Sequence, residues 1–209
     1  MESILSNPDT GNREPELFVV VLWTLWNRRN NLHLGKPTLS LGQVVAWQAQ
    51  VQDAYKVNFD GAVFVEEGLV GLGVVIHNNH ELIMASLTQQ IPLLDSIIEV
   101  EVLVARKALE LTLELGFDNI TFEGDFEVLI KSLAKGGNSL AHYGHLIADI
   151  QILMARFSSL SLSHVRRHCN SLAHALAQRA SFTSDLSIWM EEIPPNLNFV
   201  YMADLSGLS

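Results

Sequence analysis

The sequence predicts an α/β fold in which a mixed sheet of five strands has helices packed on both faces. Three runs rich in β-branched residues come first, and connections of only a few residues join them, which is typical of an antiparallel meander. Helical periodicity then alternates with two further strand-like runs, which indicates a sheet covered by helices. With 209 residues, the chain is long enough for one packed domain with appendages.

The chain is predicted to have three parts, namely an N-terminal polar tail with a helical arm, a central domain and a C-terminal tail, at residues 1–52, 53–183 and 184–209. Apolar patterning predicts arm helices over Glu16–Asn31 and Leu41–Val51. The C-terminal tail contains Pro194 and Pro195 and is predicted to be mostly irregular.

The elements of the central domain follow in order. Three strands with two turns are predicted at Tyr55–Val65, Val70–His77 and Leu82–Gln89, with turns at Glu66–Gly68 and Asn78–His80. The period then becomes helical over Leu93–Leu115, and Gly116 is predicted to end this helix as its C′ residue. The remaining elements are a strand in "NITFEGD", a helix in "FEVLIKSLAK" stopped by "GGN", a helix over His142–Phe157, a strand over Ser159–Arg166, and a last helix over Asn170–Phe182 with Asn170 as its N-cap.

The net charge of −10 is unevenly distributed along the chain. Residues 57–150 hold 14 carboxylates and only 4 lysines or arginines, whereas residues 151–184 hold four arginines, three histidines and no carboxylate. An acidic region beside a basic one suits a metal ion and a phosphate backbone, respectively. A solvated surface whose charges happen to segregate is the alternative.

Cysteine content and hydropathy bear on the compartment. A single cysteine, Cys169, excludes an intramolecular disulfide framework and fits a reducing environment. The longest N-terminal apolar run, Leu17–Trp26, is far shorter than the ~20 residues that span a bilayer. We therefore expect a soluble intracellular protein, in the nucleus or the cytoplasm, without a membrane partner.

Asp60 interrupts the first predicted strand, where aspartate is disfavoured. Alternation places Asn58 and Asp60 on one face, and a carboxylate on a buried face needs a partner such as a metal ion. The dipeptide Asp60-Gly61 is also a strong hairpin signal, so this stretch alone leaves a turn equally open.

Two more carboxylates occupy informative positions. Glu101 falls on the helix face of Ala105, Ala108 and Thr112, which predicts a buried glutamate, although a glutamate at the edge of that stripe could reach solvent. Asp125 follows a strand and precedes a helix, where it could be an N-cap or part of a site at a strand end. Together with Asp60 they form a set of oxygen donors that suits Mg²⁺ or Mn²⁺.

Five segments, in this order and spacing, resemble the type 1 ribonuclease H domain: "NFDGA", "GLGVVI", "VEVLVARKALELTLELGF", "FEGD" and "HVRRHCNSLAHALAQRA". The resemblance covers roughly Tyr55 to Phe182. More narrowly, the chain is similar to plant retroelement-derived proteins of this family, also in its flanks "LWTLWNRRNNLHLGK" and "WMEEIPPNLNFVYMAD".

The resemblance implies a three-layer ribonuclease H-like fold and endonucleolytic cleavage of the RNA strand of RNA–DNA hybrids by two-metal hydrolysis. It implies Mg²⁺ as cofactor, with Mn²⁺ as a substitute, and an RNA–DNA hybrid as the partner of a monomeric protein. The implied metal ligands and catalytic residues are Asp60, Glu101 and Asp125. We expect Arg166, Arg167 and Asn170 to contact nucleic acid.

One position departs from the family pattern. The fourth carboxylate of the family lies four residues after an asparagine, and here the residue four after Asn170 is His174. Imidazole suits Mg²⁺ less well than carboxylate does, so we expect a more weakly held second metal and reduced activity. His174 is the fourth predicted catalytic residue, with a surface histidine as the alternative. The loop before the last helix, at "RHCNS", looks shortened, and His164 and His168 are expected to be surface residues.

Two rival hypotheses remain. A zinc site could draw on His164, His168, Cys169 and His174, but zinc sites of this kind usually contain a second thiolate. A binding module that keeps the fold and has lost cleavage is favoured by His174, whereas three clustered carboxylates beside phosphate would serve a mere binder poorly.

Overall fold

The computed structural model describes residues 54–135, 144–183 and 186–206. Its six strands are β1 Tyr55–Phe64, β2 Leu69–His77, β3 Ile83–Pro92, β4 Asn119–Gly124, β5 Ser159–His164 and β6 Ser187–Met190. Its five helices are α1 Ile97–Glu114, α2 Glu127–Lys135, α3 Gly144–Met154, α4 Ser171–Arg179 and α5 Asn198–Ser206. The predicted arm at 1–52, with both of its helices, and the "GGN" stop lie outside the described residues.

The strands form one mixed sheet in the order β5-β4-β1-β2-β3-β6. The first three strands pair antiparallel, as their short connections require, and β4 and β5 add in parallel beside β1. β1 therefore lies inside the sheet, with β2 on one side and β4 on the other. This is the position from which a side chain can be both buried and close to several helices.

β1 continues straight through the Asp60-Gly61 dipeptide. Asp60 pairs with Gly73 and Gly61 pairs with Leu72 in the antiparallel ladder with β2. The hairpin alternative for Asp60-Gly61 is therefore wrong, because the pairing on both sides of this dipeptide holds it in the extended conformation. The turn lies further on, where Gly68 adopts φ +69°.

Helices cover both faces of the sheet, as predicted. α4 packs on β2 at Gly71 and Gly73, where an added Cβ would overlap backbone atoms of Ala173 or Ala177. α1 lies on the opposite face, where Val100 occupies the space that a side chain at Gly61 would need. Aromatic stacking fills the core beside β1, with the Phe59 and Phe122 rings 4.5 Å apart.

α1 begins four residues later than predicted, and it ends where predicted. β3 extends to Pro92, so the helix starts at Ile97 rather than at Leu93. Gly116 adopts φ +75°, and the Phe117 amide donates to the Thr112 carbonyl at 3.1 Å, which is the bonding expected after a C′ glycine. The helix thus presents Glu101, Ala105, Ala108 and Thr112 to the interior, as its periodicity predicted.

The number of strands and the nature of the C-terminal tail were predicted wrongly. Residues Ser187–Met190 form β6, which pairs antiparallel with β3 and makes the sheet six-stranded. Beyond the two prolines, Asn198–Ser206 form α5. Ile193 and Leu197 are 7% exposed and pack with Val75 and Leu172 in a hydrophobic cluster. A four-residue strand is too short to show a period, and its stability comes from pairing with an existing edge.

The last helix also differs in detail. Arg167–Asn170 form a 3₁₀ turn, α4 covers Ser171–Arg179, and a second 3₁₀ turn follows. Asn170 occupies the N-cap position, but its side chain caps no amide of the helix. The predicted N-cap position is therefore confirmed, while the Asn170 side chain bonds elsewhere, as described below. None of the helices in the described residues is both long and apolar enough to cross a membrane.

Candidate active site

Asp60 lies at the centre of the sheet on the face that α4 covers. It is 3% exposed, and its Oδ1 accepts a hydrogen bond from the Gly61 amide at 2.9 Å. Its Oδ2 lies 2.6 Å from Nδ1 of His174. Burial raises the pKa of Asp60, and the charge of Asp125 raises it further, while the hydrogen bond from His174 acts in the opposite direction. The carboxylate is thus costly to ionise where it stands.

Glu101 approaches the same region from α1 and is 6% exposed. Its Oε2 has no hydrogen-bond partner among the described residues. Burial raises the pKa of Glu101 to about 8, with further contributions from the charges of Asp60 and Asp125, and Arg167 acts in the opposite direction. The alternative of a glutamate reaching into solvent is therefore wrong. A buried oxygen without a partner is the kind of group that a bound cation would satisfy.

Asp125 is brought in by the parallel pairing of β1 with β4. Asn58 of β1 pairs with Glu123 of β4, so Asp125, two residues later, lies level with Asp60. The carbonyl of Asp125 bonds to the ring Nε2 of His164 at 3.2 Å. Within the described residues, no hydrogen bond joins the Asp125 carboxylate to the first amides of α2. The electrostatic influence of Asp125 on Asp60 and Glu101 shows that the three carboxylates share one region.

His174 projects from α4 toward Asp60, and its side chain is 30% exposed. The close packing of α4 on Gly71 and Gly73 of β2 sets the distance, because larger residues there would hold the helix away. His174 therefore contacts the central carboxylate directly. This contact is inconsistent with the alternative of a surface histidine that is unconnected to the site.

Asn170 is used inside the domain. It is 2% exposed, and its Nδ2 donates to the Phe59 carbonyl at 2.9 Å. Its Oδ1 lies 3.4 Å from Nδ2 of Asn58, which also donates to Glu123 at 3.2 Å. This chain of amides ties the start of α4 to β1 and β4, a positioning role that the sequence did not reveal. A contact of Asn170 with nucleic acid stays a prediction.

Two neighbouring exposed arginines lie on the segment between β5 and α4. Arg166, Arg167 and His168 are all exposed, and a hydrogen bond of 2.8 Å from the Cys169 amide to the Arg166 carbonyl closes a tight turn. Because Arg167 acts on the pKa of Glu101, this turn lies beside the carboxylates. Cys169 is an exposed free thiol, and His164 is exposed as expected.

The carboxylates of Asp60, Glu101 and Asp125 suit a hard divalent cation, although their oxygens are not already arranged around one metal position. Across residues 54–135, 144–183 and 186–206, no three His, Cys, Asp or Glu side chains are arranged to hold a metal ion, and this removes support from the zinc hypothesis. The unpartnered Glu101 oxygen and the all-oxygen set of Asp60, Glu101 and Asp125 suit Mg²⁺ or Mn²⁺.

Comparison with solved structures identifies the fold as ribonuclease H-like. The chain is 26% identical to RNase H1 from the halophilic archaeon Halobacterium salinarum, with a TM-score of 0.57, over 62% of this chain and 98% of that one. It is 20% identical to the N-terminal RNase H domain of a Mycobacterium tuberculosis protein, with a TM-score of 0.55, over 62% and 94% of the two chains. LC11-RNase H1, solved in complex with an RNA/DNA hybrid, is 20% identical over 60% and 95%, with a TM-score of 0.54.

A search of curated proteins found no match. The model of the family described as "Reverse transcriptase-like" matches residues 58–180, which is more than half of the chain and includes all four predicted catalytic residues. The chain therefore belongs to the reverse transcriptase-like family and contains a type 1 ribonuclease H domain.

Proposed function

We propose that the domain cleaves the RNA strand of RNA–DNA hybrids by metal-dependent phosphodiester hydrolysis. The observation that carries this proposal is that two buried carboxylates, Asp60 of β1 and Glu101 of α1, share one region with Asp125, which follows β4, and with an exposed arginine turn. Asp60 and Glu101 are buried, and burial together with the charge of Asp125 raises the pKa of each. Their cost is explained if a cation binds between them.

Asp60, Glu101 and Asp125 are the residues that would hold Mg²⁺. Divalent ions bound there would supply activation of the attacking water and stabilisation of the leaving oxygen. Glu101 contributes through the oxygen that has no other partner. His174 orients the Asp60 carboxylate through its ring Nδ1 and is placed to accept or donate a proton at that atom.

Arg166 and Arg167 are the residues that would bind phosphate. Both are exposed and lie on the same turn, and the effect of the Arg167 charge on the pKa of Glu101 supports a position of this turn near the carboxylates. A duplex lying across the turn would bring its backbone to the metal ligands. A structural neighbour, LC11-RNase H1, has been solved with an RNA/DNA hybrid, which supports the hybrid as the substrate class. Recognition would then follow the shape of the hybrid and its 2′-hydroxyls rather than its base edges.

A second candidate function is a nucleic-acid-binding module with weak cleavage or none. The observation that favours it is the bond from His174 to Asp60 Oδ2, because an oxygen held by an imidazole is less available to a cation. The retained set of three carboxylates favours the enzyme.

The deciding experiment is cleavage of a hybrid labelled on its RNA strand, in Mg²⁺ and separately in Mn²⁺. The Asp60→Asn variant keeps the shape of the side chain and removes its charge. It should lose at least about 100-fold in rate, since changes even to groups that only support metal ligands cost 10–100-fold. Asp95→Asn removes an exposed carboxylate elsewhere and is the matched control.

Equal cleavage by Asp60→Asn and the parent would remove the metal assignment. Tight hybrid binding by the parent with no cleavage in either ion would favour the binding module instead.

A further inference from the structure

A polar cavity lies on the sheet face that carries Asp60, between β1 and the C-terminal helix α5. Its volume is about 480 Å³, within the range of small-molecule sites. β1 and β4 supply Lys56, Asn58 and Glu123, while α5 supplies Tyr201 and Asp204. The C-terminal segment thus builds one wall of a pocket that the predicted catalytic residues do not line.

His77, at the end of β2, lines this pocket and is 8% exposed. Neither of its ring nitrogens has a hydrogen-bond partner among the described residues, and the nearest carboxylate oxygen, Glu81 Oε2, is 3.6 Å from Nδ1. Burial lowers the pKa of His77 to about 4, so the ring is neutral near pH 7 and offers one donor and one acceptor. A buried polar ring with no partner is costly unless something in the cavity bonds to it.

Glu81 lies in the turn after β2, lines the pocket and has an unusual backbone conformation. Glu81 adopts φ 58°, a left-handed conformation that non-glycine residues rarely take. Its carbonyl accepts a hydrogen bond from Tyr201 Oη at 3.0 Å, and its Oε1 lies 2.9 Å from Lys56 Nζ. Contacts from both walls of the pocket therefore maintain this conformation.

The charge of the lining determines which ligands fit. Glu81, Glu123 and Asp204 share the lining with one lysine, Lys56, which is already paired with Glu81, and with His168. Glu123 accepts from Asn58 through Oε2 and Asp204 accepts from Ser171 through Oδ1, which leaves one oxygen of each side chain for a ligand. A phosphate-bearing ligand is disfavoured by this excess of carboxylates.

We propose that this pocket binds a small organic cation that carries several N–H donors, of the guanidinium or alkylamine class. The free oxygens of Glu123 and Asp204 accept its hydrogen bonds, and a ring nitrogen of His77 gains the partner that it lacks. The ring of Tyr201 provides an aromatic wall of the kind that attracts cations. The cation is either a free metabolite or the side chain of an arginine in a bound peptide, and both sources share this chemistry.

The test titrates the full chain with agmatine and, separately, with a capped Gly-Arg-Gly peptide. Affinity is measured by calorimetry, and the ring signals of His77 are followed by nitrogen-edited NMR. Both the Glu123→Gln and the Asp204→Asn variant should weaken binding by about tenfold or more, the worth of a charge-assisted hydrogen bond. Glu67→Gln, in the exposed turn after β1, removes the same charge elsewhere and should bind as the parent does.

Asp204 also bonds to Ser171 at the start of α4, so the Asp204→Asn variant could be unstable. In that case Glu123→Gln alone tests the proposal. Binding of agmatine alone, with shifted His77 signals, supports the proposal with a free molecule as the ligand. Binding of the peptide alone supports it with a protein side chain as the ligand. The proposal is overturned if neither probe shifts the His77 signals, if the variants bind like the control, or if inorganic phosphate binds there more tightly than agmatine.

Discussion

His174 Nδ1 lies 2.6 Å from Asp60 Oδ2, so a histidine of α4 is bonded to the carboxylate at the centre of the candidate site. These two residues are 114 positions apart in the chain. Asp60 Oδ1 is meanwhile bonded to the Gly61 amide, which leaves both oxygens of the carboxylate engaged. A cation that binds Asp60 through Oδ2 must share that oxygen with the imidazole or displace it.

The first prediction concerns this pair. Replacing His174 by aspartate should tighten the binding of Mg²⁺ and raise hybrid cleavage in Mg²⁺ by about tenfold, because a hard oxygen donor replaces a neutral imidazole. The parent should prefer Mn²⁺ more strongly than the variant does, since Mn²⁺ accepts nitrogen ligands more readily. Metal affinity and initial rates are compared in both ions from pH 6 to 9.

His168→Asp is the control for this comparison, because it adds a carboxylate on the neighbouring exposed turn. A fall in activity of His174→Asp, with a changed pH profile, would assign proton transfer to His174 instead. Identical behaviour of parent and variant would exclude His174 from the chemistry.

The second prediction concerns the electrostatic part of nucleic-acid binding. Replacing Arg166 and Arg167 by alanine should reduce the slope of log affinity against log salt by about one to two units, at ~0.9 per phosphate contact. Binding is measured by fluorescence anisotropy in the Asp60→Asn background, so that the hybrid stays intact. Lys107→Ala with Arg156→Ala removes the same charge away from this turn and should leave the slope in place. A slope that both pairs lower equally would point to a general charge effect.

The third prediction links Glu101 to the pH dependence of stability. An unfolded chain releases the Glu101 proton near pH 4.5, whereas the folded protein retains it until about pH 8. Between these values the folded state binds the extra proton, so the free energy of unfolding should fall as pH rises, by up to about 1.4 kcal/mol per pH unit.

Glu101→Gln should remove this slope. We expect it to exceed the parent in stability by roughly 2 kcal/mol or more at pH 8.5 and to match it near pH 5, in urea unfolding. Mg²⁺ should reduce the difference in the free energy of unfolding between the two proteins at pH 8.5, because it stabilises the parent with Glu101 ionised. Glu67→Gln checks that the loss of one negative charge does not by itself produce the effect. Parallel pH curves for parent and Glu101→Gln would contradict the prediction.

The fourth prediction concerns the packing that positions His174. A methyl group at Gly73 would overlap backbone atoms of Ala173 and Ala177, so Gly73→Ala should force α4 away from β2. The expected loss is about 1–3 kcal/mol or more, as for overpacked cores, with a further loss of cleavage as His174 leaves Asp60. Gly68→Ala is the matched control, because no atom lies within 4 Å there and only its φ of +69° opposes alanine. A folded Gly73→Ala protein with unchanged stability would refute the packing argument.

The sequence predicted the elements whose periodicity is long and whose neighbours are close in the chain. The antiparallel meander, α1 with its inward Glu101 and the Gly116 terminus were predicted from local pattern alone. β6 and α5 were missed because a four-residue strand and a helix of weak amphipathicity gain their stability from contact with β3 and α4.

The candidate site shows the same division between local and distant information. Asp60 could be recognised as unusual for a strand, but the sequence of the strand does not reveal which side chains surround Asp60 in the fold. The bonds of Asn170 to Phe59 and Asn58 join segments more than 100 residues apart, and the capping preference of asparagine pointed to a local role instead. The grouping of the three carboxylates followed from their positions in the predicted elements and from the resemblance to a family, but neither revealed the bond between His174 and Asp60.

The long separation between β1 and α4 has a consequence for synthesis. At about 5–20 residues per second, α4 emerges from the ribosome roughly 5–20 s after β1. During that interval α4 is not yet available, so it can neither cover the groove at Gly71 and Gly73 nor supply the partner of Asp60. Topologies that depend on such distant pairing fold slowly and leave apolar strands accessible to other chains. The nascent protein should therefore depend on chaperones that shield β-rich surfaces, and the proposed hydrolytic activity should appear only after translation has passed α4.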